Sequence, residues 1–240
     1  MKFKPALIEA RDLNEAYFLL INACWDNGIK YLITEGSNKG GHRLELPFAA
    51  GLVHYPHTRP LAPVMPIGLA PTTNDEKIEE YFNEYLMSAI LKPNEEYRYA
   101  SWINGIMFNE STEEWESQLE WCIRHFQKKG FGNNHCFITV GDPRTNFNYD
   151  KPYKNETERR TSPCLRGIDI KIKDNKVILG VVYRSWDLYA GFPENMGGFT
   201  LLNEYIASEL GIEPGPLTFS SQGLHCYDYQ ITSLIQYLRR

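Results

Sequence analysis

The sequence of 240 residues is poor in the features that mark secreted and membrane proteins. No stretch approaches the ~18 apolar residues of a membrane-spanning helix, and residues 1–5 lack the long apolar core of a signal peptide. The five cysteines are odd in number and include no Cys-x-x-Cys pair, which argues against a disulfide framework and a cysteine-rich zinc site. We therefore expect a cytoplasmic protein without a membrane partner.

Histidines at metal-ligand spacing and an excess of basic residues are also missing. The histidines at positions 42, 54, 57, 125 and 135 show no convincing ligand pattern, so we expect no bound metal. The net charge of −5 argues against a chain-wide basic surface, and we expect no DNA partner. With 42% hydrophobic and 23% charged residues, the composition suits a globular protein with a substantial core.

Hydrophobic periodicity predicts four helices, over residues 14–27, 75–89, 111–129 and 198–210. Ser111 and Glu114 have the spacing of a capping box at the start of the third helix. Gly28, Gly130 and Gly211 are expected to end the first, third and fourth helices.

Strands are predicted around the same helices. Residues 31–33 and 136–140 are strand candidates, and the isoleucines of 168–172 alternate with polar residues before a turn at Asp174-Asn175. Residues 177–183 are continuously apolar, which suggests a strand buried on both faces. Residues 142–161 form a long polar segment, typical of a functional or mobile loop. We expect one α+β domain spanning residues 1–240, with helices on one side of the strands.

Cys164 stands out because of the motifs that follow it. A cysteine in a globular chain is most often a small buried hydrophobe. Here Pro163-Cys164 precedes the segments Arg-Ser-Trp-Asp at 184–187, Gly-Phe-Pro-Glu-Asn at 191–195 and His-Cys-Tyr at 225–227. A free thiol has a pKa of ~8.5, so a nearby cation such as Arg184 would raise its thiolate fraction. These residues by themselves leave two interpretations of Cys164, a buried packing residue or a reactive thiol.

The other motif residues allow both functional and structural interpretations. Arg184 ends an apolar strand, where its guanidinium could bind a phosphate bidentately, aided by the Ser185 hydroxyl, or form an ion pair with a carboxylate. Asn195 could bind a ligand or cap the helix after it. His225 and Tyr227, two residues apart, would point to the same face of a strand.

The order of these motifs resembles that of the thymidylate synthase family, particularly its short archaeal-type members. The resemblance implies a large mixed or antiparallel sheet flanked by helices, and a homodimer with sheets packed back to back. It implies that Cys164 is the nucleophile. It also assigns the nucleotide phosphate to Arg184 and Ser185, the ring of a reduced folate to Asp187, and the deoxyribose hydroxyl to His225 and Tyr227. By the same resemblance Asn195 reads the base, and its carboxamide offers the donor and acceptor that match O4 and N3–H of uracil.

The resemblance also suggests residues upstream of Cys164. Glu84 corresponds to a glutamate that organises water and proton transfer, although Glu80 on the same helix face competes and a solvated surface is an equal alternative. Tyr99 corresponds to a tyrosine near the reacting C5. Lys39 and Arg43 are candidates for an N-terminal phosphate ligand.

The sequence departs from the family pattern at the N-terminal phosphate arginine, where Lys39 or Arg43 would serve, and at two further places. Residues 133–136 read Asn-Asn-His-Cys where the family has an Arg-Arg pair that reaches the phosphate of the partner subunit. Arg144, Arg159 and Arg160 are the candidates to replace that pair. Leu165 stands where a histidine usually follows the nucleophile.

Three functions remain open at this point. The first is methylation of dUMP at C5 through a covalent Cys164–C6 adduct, with 5,10-methylenetetrahydrofolate or methylene-tetrahydromethanopterin as cofactor. The second is a 5-hydroxymethylase acting on dUMP, dCMP or CMP. The third is a non-catalytic relative that binds nucleotide or RNA, which the presence of Cys164 disfavours.

Overall fold

A computed structural model describes residues 4–35, 38–93, 95, 97–150 and 162–231. Its strands are β1 Ala6–Ala10, β2 Ile29–Leu32, β3 His42–Leu46, β4 Ala49–Val53, β5 Met107–Asn109, β6 Glu114–Glu116, β7 Phe137–Thr139, β8 Leu165–Lys173, β9 Lys176–Tyr183, β10 Trp186–Asp187, β11 Glu213–Ser221 and β12 Leu224–Tyr227. Its α-helices are α1 Leu13–Asn27, α2 Asp75–Tyr81, α3 Ala100–Ile103, α4 Gln118–Lys129 and α5 Gly191–Leu210. A π-helix spans Phe82–Met87 and a 3-10 helix spans Pro143–Asp150.

The main sheet has six strands in the order β1-β4-β11-β9-β8-β7. The pairs β1–β4 and β11–β9 are parallel, and the other three neighbouring pairs are antiparallel. A smaller sheet has the order β10-β12-β3-β2. The predicted α+β class and mixed sheet flanked by helices are thus confirmed.

The hydrophobic core lies between the main sheet and the helices. α5 packs against β9 and β11 and also contacts α1, α2 and α4. Phe192 and Phe199 of α5 are fully buried, as is Tyr183 at the end of β9. The segment Arg-Ser-Trp-Asp at 184–187 directly follows β9. Its Trp186 contacts Phe192 in the first turn of α5, with ring centroids 4.9 Å apart.

The strand predictions around Cys164 agree with the structure in most respects. β8 and β9 form a hairpin whose turn residues, Asp174 and Asn175, both have positive φ, as a two-residue turn requires. The prediction that residues 177–183 are buried on both faces is wrong, because buried and partly exposed residues alternate along β9. One face packs on the helices, and no described segment of this chain covers the other.

The third predicted helix begins later than expected. Ser117, not Ser111, is the N-cap: its side chain accepts from Glu120 N at 3.1 Å, and the Glu120 carboxylate accepts from Ser117 N at 2.7 Å. Residues 114–116 instead form β6, which pairs with β5 and brings Trp115 against Phe108. Ser111–Glu114 and Ser117–Glu120 both have the Ser-x-x-Glu spacing of a capping box. Because Glu114 belongs to the β5–β6 hairpin, only the second pair can start the helix.

The second and fourth predicted helices also differ from the structure. α2 begins after the N-cap Asn74 and gives way at Phe82 to the π-helix. α5 begins at Gly191, seven residues before the predicted start. Gly197 and Gly198 weaken the helical pattern but lie inside α5, where a Cβ would come within 2.7 Å of Ile78 and 2.5 Å of Tyr81, respectively. Glycine therefore permits the close packing of α5 on α2.

The first helix agrees with its prediction to one residue, and Gly28 follows it as the C-cap. Among the described residues, no helix is both long and apolar enough to span a membrane.

Candidate active site

Cys164 lies at the bend immediately before β8, and it is the only described cysteine that is not buried. Its carbonyl oxygen accepts a hydrogen bond from Arg184 N at 2.9 Å, so the start of β8 and the end of β9 are held together. This pairing brings the Arg184 side chain to the thiol, with Nη2 3.9 Å from Sγ. Two motifs twenty residues apart in sequence therefore meet at one place.

The environment of the thiol acts on its pKa in two directions. Burial raises the pKa of Cys164, because a thiolate is poorly solvated there. The positive charges of Arg184 and Arg166 oppose this effect and favour the thiolate. Arg166 was not singled out in the sequence, and its position on β8 identifies it as a second cation near the nucleophile.

Arg184 is held by the chain segment that carries the nucleophile. Its guanidinium donates to the carbonyl oxygens of Ser162 at 2.7 Å and Pro163 at 3.1 Å, and to Tyr149 Oη at 3.0 Å. No carboxylate among the described residues pairs with it, so the alternative of a strand-end ion pair is not found there. Ser185 lies in the bend that follows.

Tyr99 lies beside the residue that follows Cys164 in the chain. Its Oη accepts from the backbone N of Leu165 at 3.3 Å, and only 5% of the residue is exposed. Burial raises the pKa of Tyr99 well above its usual range, so its phenol stays protonated at neutral pH.

Tyr99 belongs to a cluster of tyrosines that the sequence analysis missed. Its ring contacts those of Tyr85, Tyr97 and Tyr183 at centroid distances of 5.1–6.4 Å. Tyr81 stacks on Tyr85 at 5.4 Å. The spacing of Tyr81 and Tyr85 by one helical turn was the available signal, but it does not reveal where their rings point.

Asn195 lies in the second turn of α5, where its Oδ1 accepts from Trp186 Nε1 at 2.8 Å. The alternative that Asn195 caps the following helix is wrong, because Ala190 occupies the N-cap position. Trp186 in turn stacks on Tyr183, with centroids 3.8 Å apart and planes 4° from parallel. The sequence motif contained Trp186 but gave it no role.

Asp187 and His225 are neighbours in the smaller sheet, where β10 pairs in parallel with β12. The Asp187 carboxylate accepts from Tyr189 N at 2.9 Å and from Gln230 Nε2 at 3.3 Å. Burial raises the pKa of Asp187 above its usual range. Asp187 therefore combines a partly buried carboxylate with few bonds to other side chains.

His225 is only 3% exposed, and its Nδ1 lies 3.1 Å from the carbonyl oxygen of Gly223. A carbonyl only accepts, so Nδ1 carries the proton and Nε2 is the acceptor. That buried Nε2 has no hydrogen-bond partner among the described residues. Burial lowers the pKa of His225 to about 4, which keeps the ring neutral. The ring of Tyr227 meets it edge-on at 5.0 Å, so the two do share a face.

Arg43 and Lys39 both have acidic partners. Arg43 lies opposite Tyr227 in the β3–β12 pair, and its Nη2 is 2.9 Å from Glu45 Oε2 and 2.6 Å from Tyr31 Oη. Lys39 is exposed and lies 2.8 Å from Glu35 Oε1. Arg43 therefore adjoins the predicted sugar site, although its charge is offset by Glu45.

Glu84 lies on the π-helix and forms an ion pair with Lys92. It lines a cleft of about 270 Å³ together with Lys77, Glu80, Tyr81, Tyr85, Glu95 and Glu194. Cys164 does not line this cleft, but Tyr85 belongs both to the cleft and to the tyrosine cluster. The competing residue Glu80 is present as well, and Glu95 and Glu194 are two further carboxylates to which the sequence analysis gave no role.

The residues expected to replace the missing arginine pair are only partly described. Arg144 is exposed on the 3-10 helix and lies 3.3 Å from Asp142. The same helix carries Tyr149, which binds Arg184. Arg159 and Arg160 lie outside the described residues.

Several of the predicted site residues thus form two adjoining groups. The first contains the candidate nucleophile Cys164 with Arg184 and Tyr99. The second, called the sugar group after its predicted role, contains His225 and Tyr227, with Arg43 beside it; Asp187, predicted to bind the folate ring, pairs with His225. Trp186 connects the two groups, because it stacks on Tyr183, whose ring contacts that of Tyr99, and because it directly precedes Asp187.

Comparison with known proteins identifies the family that the chain resembles. The thymidylate synthase family model matches residues 145–240, which include every motif from Cys164 to Tyr227. A protein of Methanosarcina acetivorans named "Putative thymidylate synthase" is 27% identical over 93% of this chain and 90% of its own length. A protein of the same name from Methanosarcina mazei is 26% identical with the same coverage.

A bacterial relative matches a shorter region. A thymidylate synthase of Fusobacterium nucleatum is 29% identical over 35% of this chain and 30% of its own length. These comparisons confirm the resemblance to the thymidylate synthase family that the motifs predicted.

Proposed function

We propose that this protein transfers a one-carbon unit from a reduced folate or related pterin to C5 of dUMP, as a thymidylate synthase-type methyltransferase. The observation that carries the proposal is the approach of Arg184 to Cys164, at 3.9 Å, with Tyr99 bound to the next backbone amide. A cation beside a partly exposed thiol is the arrangement that activates a cysteine nucleophile. A protein that only binds nucleotide has no need of it.

In this proposal Cys164 Sγ attacks C6 of the uracil ring, and the resulting electron density at C5 makes that carbon nucleophilic. Arg184 stabilises the thiolate before attack, and Arg184 and Ser185 contribute to phosphate binding. Tyr99 binds the backbone amide that follows Cys164 and stays a protonated phenol, so in this proposal it can donate a hydrogen bond near C5 but does not act as the base that removes the C5 proton. Glu84 is the proposed carboxylate for proton transfer through water, with Glu80 and Glu194 as the alternatives in the same cleft.

The sugar group supports recognition of a nucleotide. Nε2 of His225 is a buried acceptor that has no partner among the residues the structure describes, and such an atom is costly unless a ligand or water satisfies it. A deoxyribose hydroxyl is the donor that the proposal supplies, with Tyr227 beside it. Arg43 or Lys39 would have to exchange its acidic partner for the phosphate.

Asp187 fits a reduced pterin, because its carboxylate can accept from the N–H groups at the edge of that ring. When bound, the pterin supplies the one-carbon unit. 5,10-Methylenetetrahydrofolate and methylene-tetrahydromethanopterin have the same reacting ring system, so both remain in the proposal. Binding titrations of each pterin to wild type and to Asp187→Asn test this role, which fails if the variant binds as tightly.

We further propose a homodimer formed through the uncovered face of the main sheet. Leu7 on β1 is 71% exposed and Phe137 on β7 is 48% exposed, with the partly exposed Ile178 and Val182 of β9 between them. A sheet face of this composition is suited to burial against a second copy. Sedimentation of wild type and Val182→Glu tests the dimer, since a monomeric wild type would exclude it.

Two broader proposals concern the extent of the catalytic domain and the compartment in which the protein works. Residues 1–240 act as one catalytic domain, and the protein works in the cytoplasm, for which the five unpaired cysteines are the support. Limited proteolysis tests the first and cell fractionation the second. A stable active fragment or a membrane-bound fraction, respectively, would contradict them.

The reaction itself is tested by product analysis with dUMP, dCMP and CMP in the presence of each pterin. The proposal predicts 5-methylated product from dUMP, together with oxidation of the folate to dihydrofolate. A 5-hydroxymethyl product without oxidation would establish the hydroxymethylase alternative. Nucleotide binding without any product would leave only the non-catalytic alternative.

A further inference from the structure

The side chain of Asn195 has a fixed orientation in this protein. Its carboxamide has a donor end, Nδ2, and an acceptor end, Oδ1, and the two can exchange places by a half-turn of the amide. Oδ1 faces Trp186 Nε1 at 2.8 Å. Because an indole N–H can only donate, the opposite orientation would place two donors against each other.

Trp186 is itself held firmly, so it can impose this orientation. The ring is 2% exposed, stacks on Tyr183 and contacts Phe192 at 4.9 Å and Phe219 at 6.1 Å. It cannot rotate without disturbing the aromatic core beneath α5.

The position of the other end of the amide follows from this contact. With Oδ1 on the Trp186 N–H, Nδ2 faces away from Trp186 and is the donor end that Asn195 can offer to a ligand.

We propose that Trp186 is a positioning residue that makes Asn195 discriminate uracil from cytosine. The inference rests on the proposed function, in which the substrate is a uracil nucleotide, and adds the residue that fixes the orientation of Asn195. Uracil offers an acceptor at O4 and a donor at N3, whereas cytosine offers a donor at N4 and an acceptor at N3. Reading cytosine would require the amide to turn over, and the Trp186 N–H opposes that turn.

The test compares the dissociation constants of dUMP and dCMP for the wild type and three variants. Trp186→Phe keeps a stacking ring but removes the donor, so the preference for dUMP over dCMP should fall about tenfold, the effect of one hydrogen bond. Trp186→Tyr fills more of the space of the indole than phenylalanine does and also lacks a donor at the Nε1 position, so it should lower the preference for dUMP to the same extent as Trp186→Phe. Trp115→Phe, in the exposed β6 strand, is the matched control and should keep the wild-type ratio.

The same substitution of Trp186, made in a protein that carries Asn195→Asp, separates the positioning role of Trp186 from a general disturbance of the site. In Asn195→Asp the carboxylate has acceptors at both ends, so there is no amide left to orient. Adding Trp186→Phe to that variant should leave its dUMP-to-dCMP ratio unchanged. A change in this ratio as large as in the Asn195 background would overturn the inference.

The remaining outcomes also decide the matter. If the wild type prefers dUMP and Trp186→Phe binds it with the same preference, the role of Trp186 is wrong while the proposed function stands. If the wild type binds neither nucleotide, the proposed function fails and the inference fails with it. Melting temperatures of all variants establish that folded proteins are being compared.

Discussion

Arg184 Nη2 lies 3.9 Å from Cys164 Sγ, and the same guanidinium donates to the carbonyl oxygens of the two residues that precede the cysteine. The arginine therefore both holds the nucleophile segment and favours the ionised form of its thiol. These two effects can be separated by measuring reactivity against pH.

Replacing Arg184 by Gln should reduce the reactivity of Cys164 at neutral pH. Burial raises the pKa of Cys164 and Arg184 opposes that increase, so removing the charge moves the pKa further upward and lowers the thiolate fraction. The rate of alkylation by iodoacetamide can be measured by mass spectrometry at a series of pH values. In the variant, the pH at which this rate increases should be higher than in the wild type, and the rate at pH 7 should be several-fold lower. Arg144→Gln removes an exposed arginine nearby and should leave the profile unchanged; a shift of equal size there would contradict the local explanation.

His225 should make the fold less stable in mild acid. Its pKa is lowered to about 4 in the folded protein, against ~6.5 in an unfolded chain. The unfolded state therefore gains a proton first as pH falls, and stability is lost between about pH 6.5 and pH 4, by on the order of 3 kcal/mol. Above that range the contribution of the neutral histidine is fully present.

Urea unfolding of the wild type and His225→Gln over this pH range measures the effect. The variant should lose less stability on acidification, because glutamine does not titrate. His135→Gln, which removes an exposed histidine, should retain the wild-type pH dependence. Equal slopes for all three proteins would show that His225 is not buried as a neutral ring.

The packing of α5 on α2 should tolerate no side chain at Gly197. A Cβ there would lie 2.7 Å from Ile78, so Gly197→Ala should destabilise the protein by roughly 1–3 kcal/mol, despite the higher helix propensity of alanine. Combining it with Ile78→Ala, which creates space, should cost less than the sum of the two single changes. Thermal unfolding of the four proteins measures the coupling, and strict additivity would mean that the two residues do not meet.

Glu84 should matter more to turnover than Glu80 and Glu194, which line the same cleft. Removing a proton-transfer group typically costs 10²–10⁴-fold in rate, so Glu84→Gln should lower kcat by about that factor and leave nucleotide binding nearly intact. Glu80→Gln and Glu194→Gln preserve the same shape and serve as matched controls. If either control has the larger effect on kcat, the catalytic carboxylate has been assigned to the wrong residue.

The residues of the motifs could be predicted from the sequence, whereas their supporting contacts could not. Arg184 and His225 fall within short segments whose order carries information, and the β8–β9 pairing then brings the first of them to Cys164. Tyr149 and Trp186 act through contacts with elements distant in sequence. Their types and positions were visible, but the 3-10 helix and the start of α5 that position them were not.

The errors in helix boundaries have a similar physical origin. Ser111 and Glu114 satisfy the local capping rule, but the β5–β6 hairpin competes for the same residues. Gly197 and Gly198 lower helix propensity, and their advantage lies in the tight contact with α2, which only the folded chain provides. Local propensity is overridden in both cases by tertiary packing.

The central claim, that Cys164 adds to C6 of a uracil nucleotide, is tested most directly by intact mass spectrometry after incubation with 5-fluoro-dUMP and the pterin cofactor. Fluorine at C5 replaces the hydrogen that must leave, so the adduct should persist. The account predicts a covalent ternary adduct with the wild type and with Cys122→Ala, and none with Cys164→Ser, which should still bind the nucleotide. An adduct that survives in Cys164→Ser, or its absence from wild type under conditions where the nucleotide binds, would contradict the account.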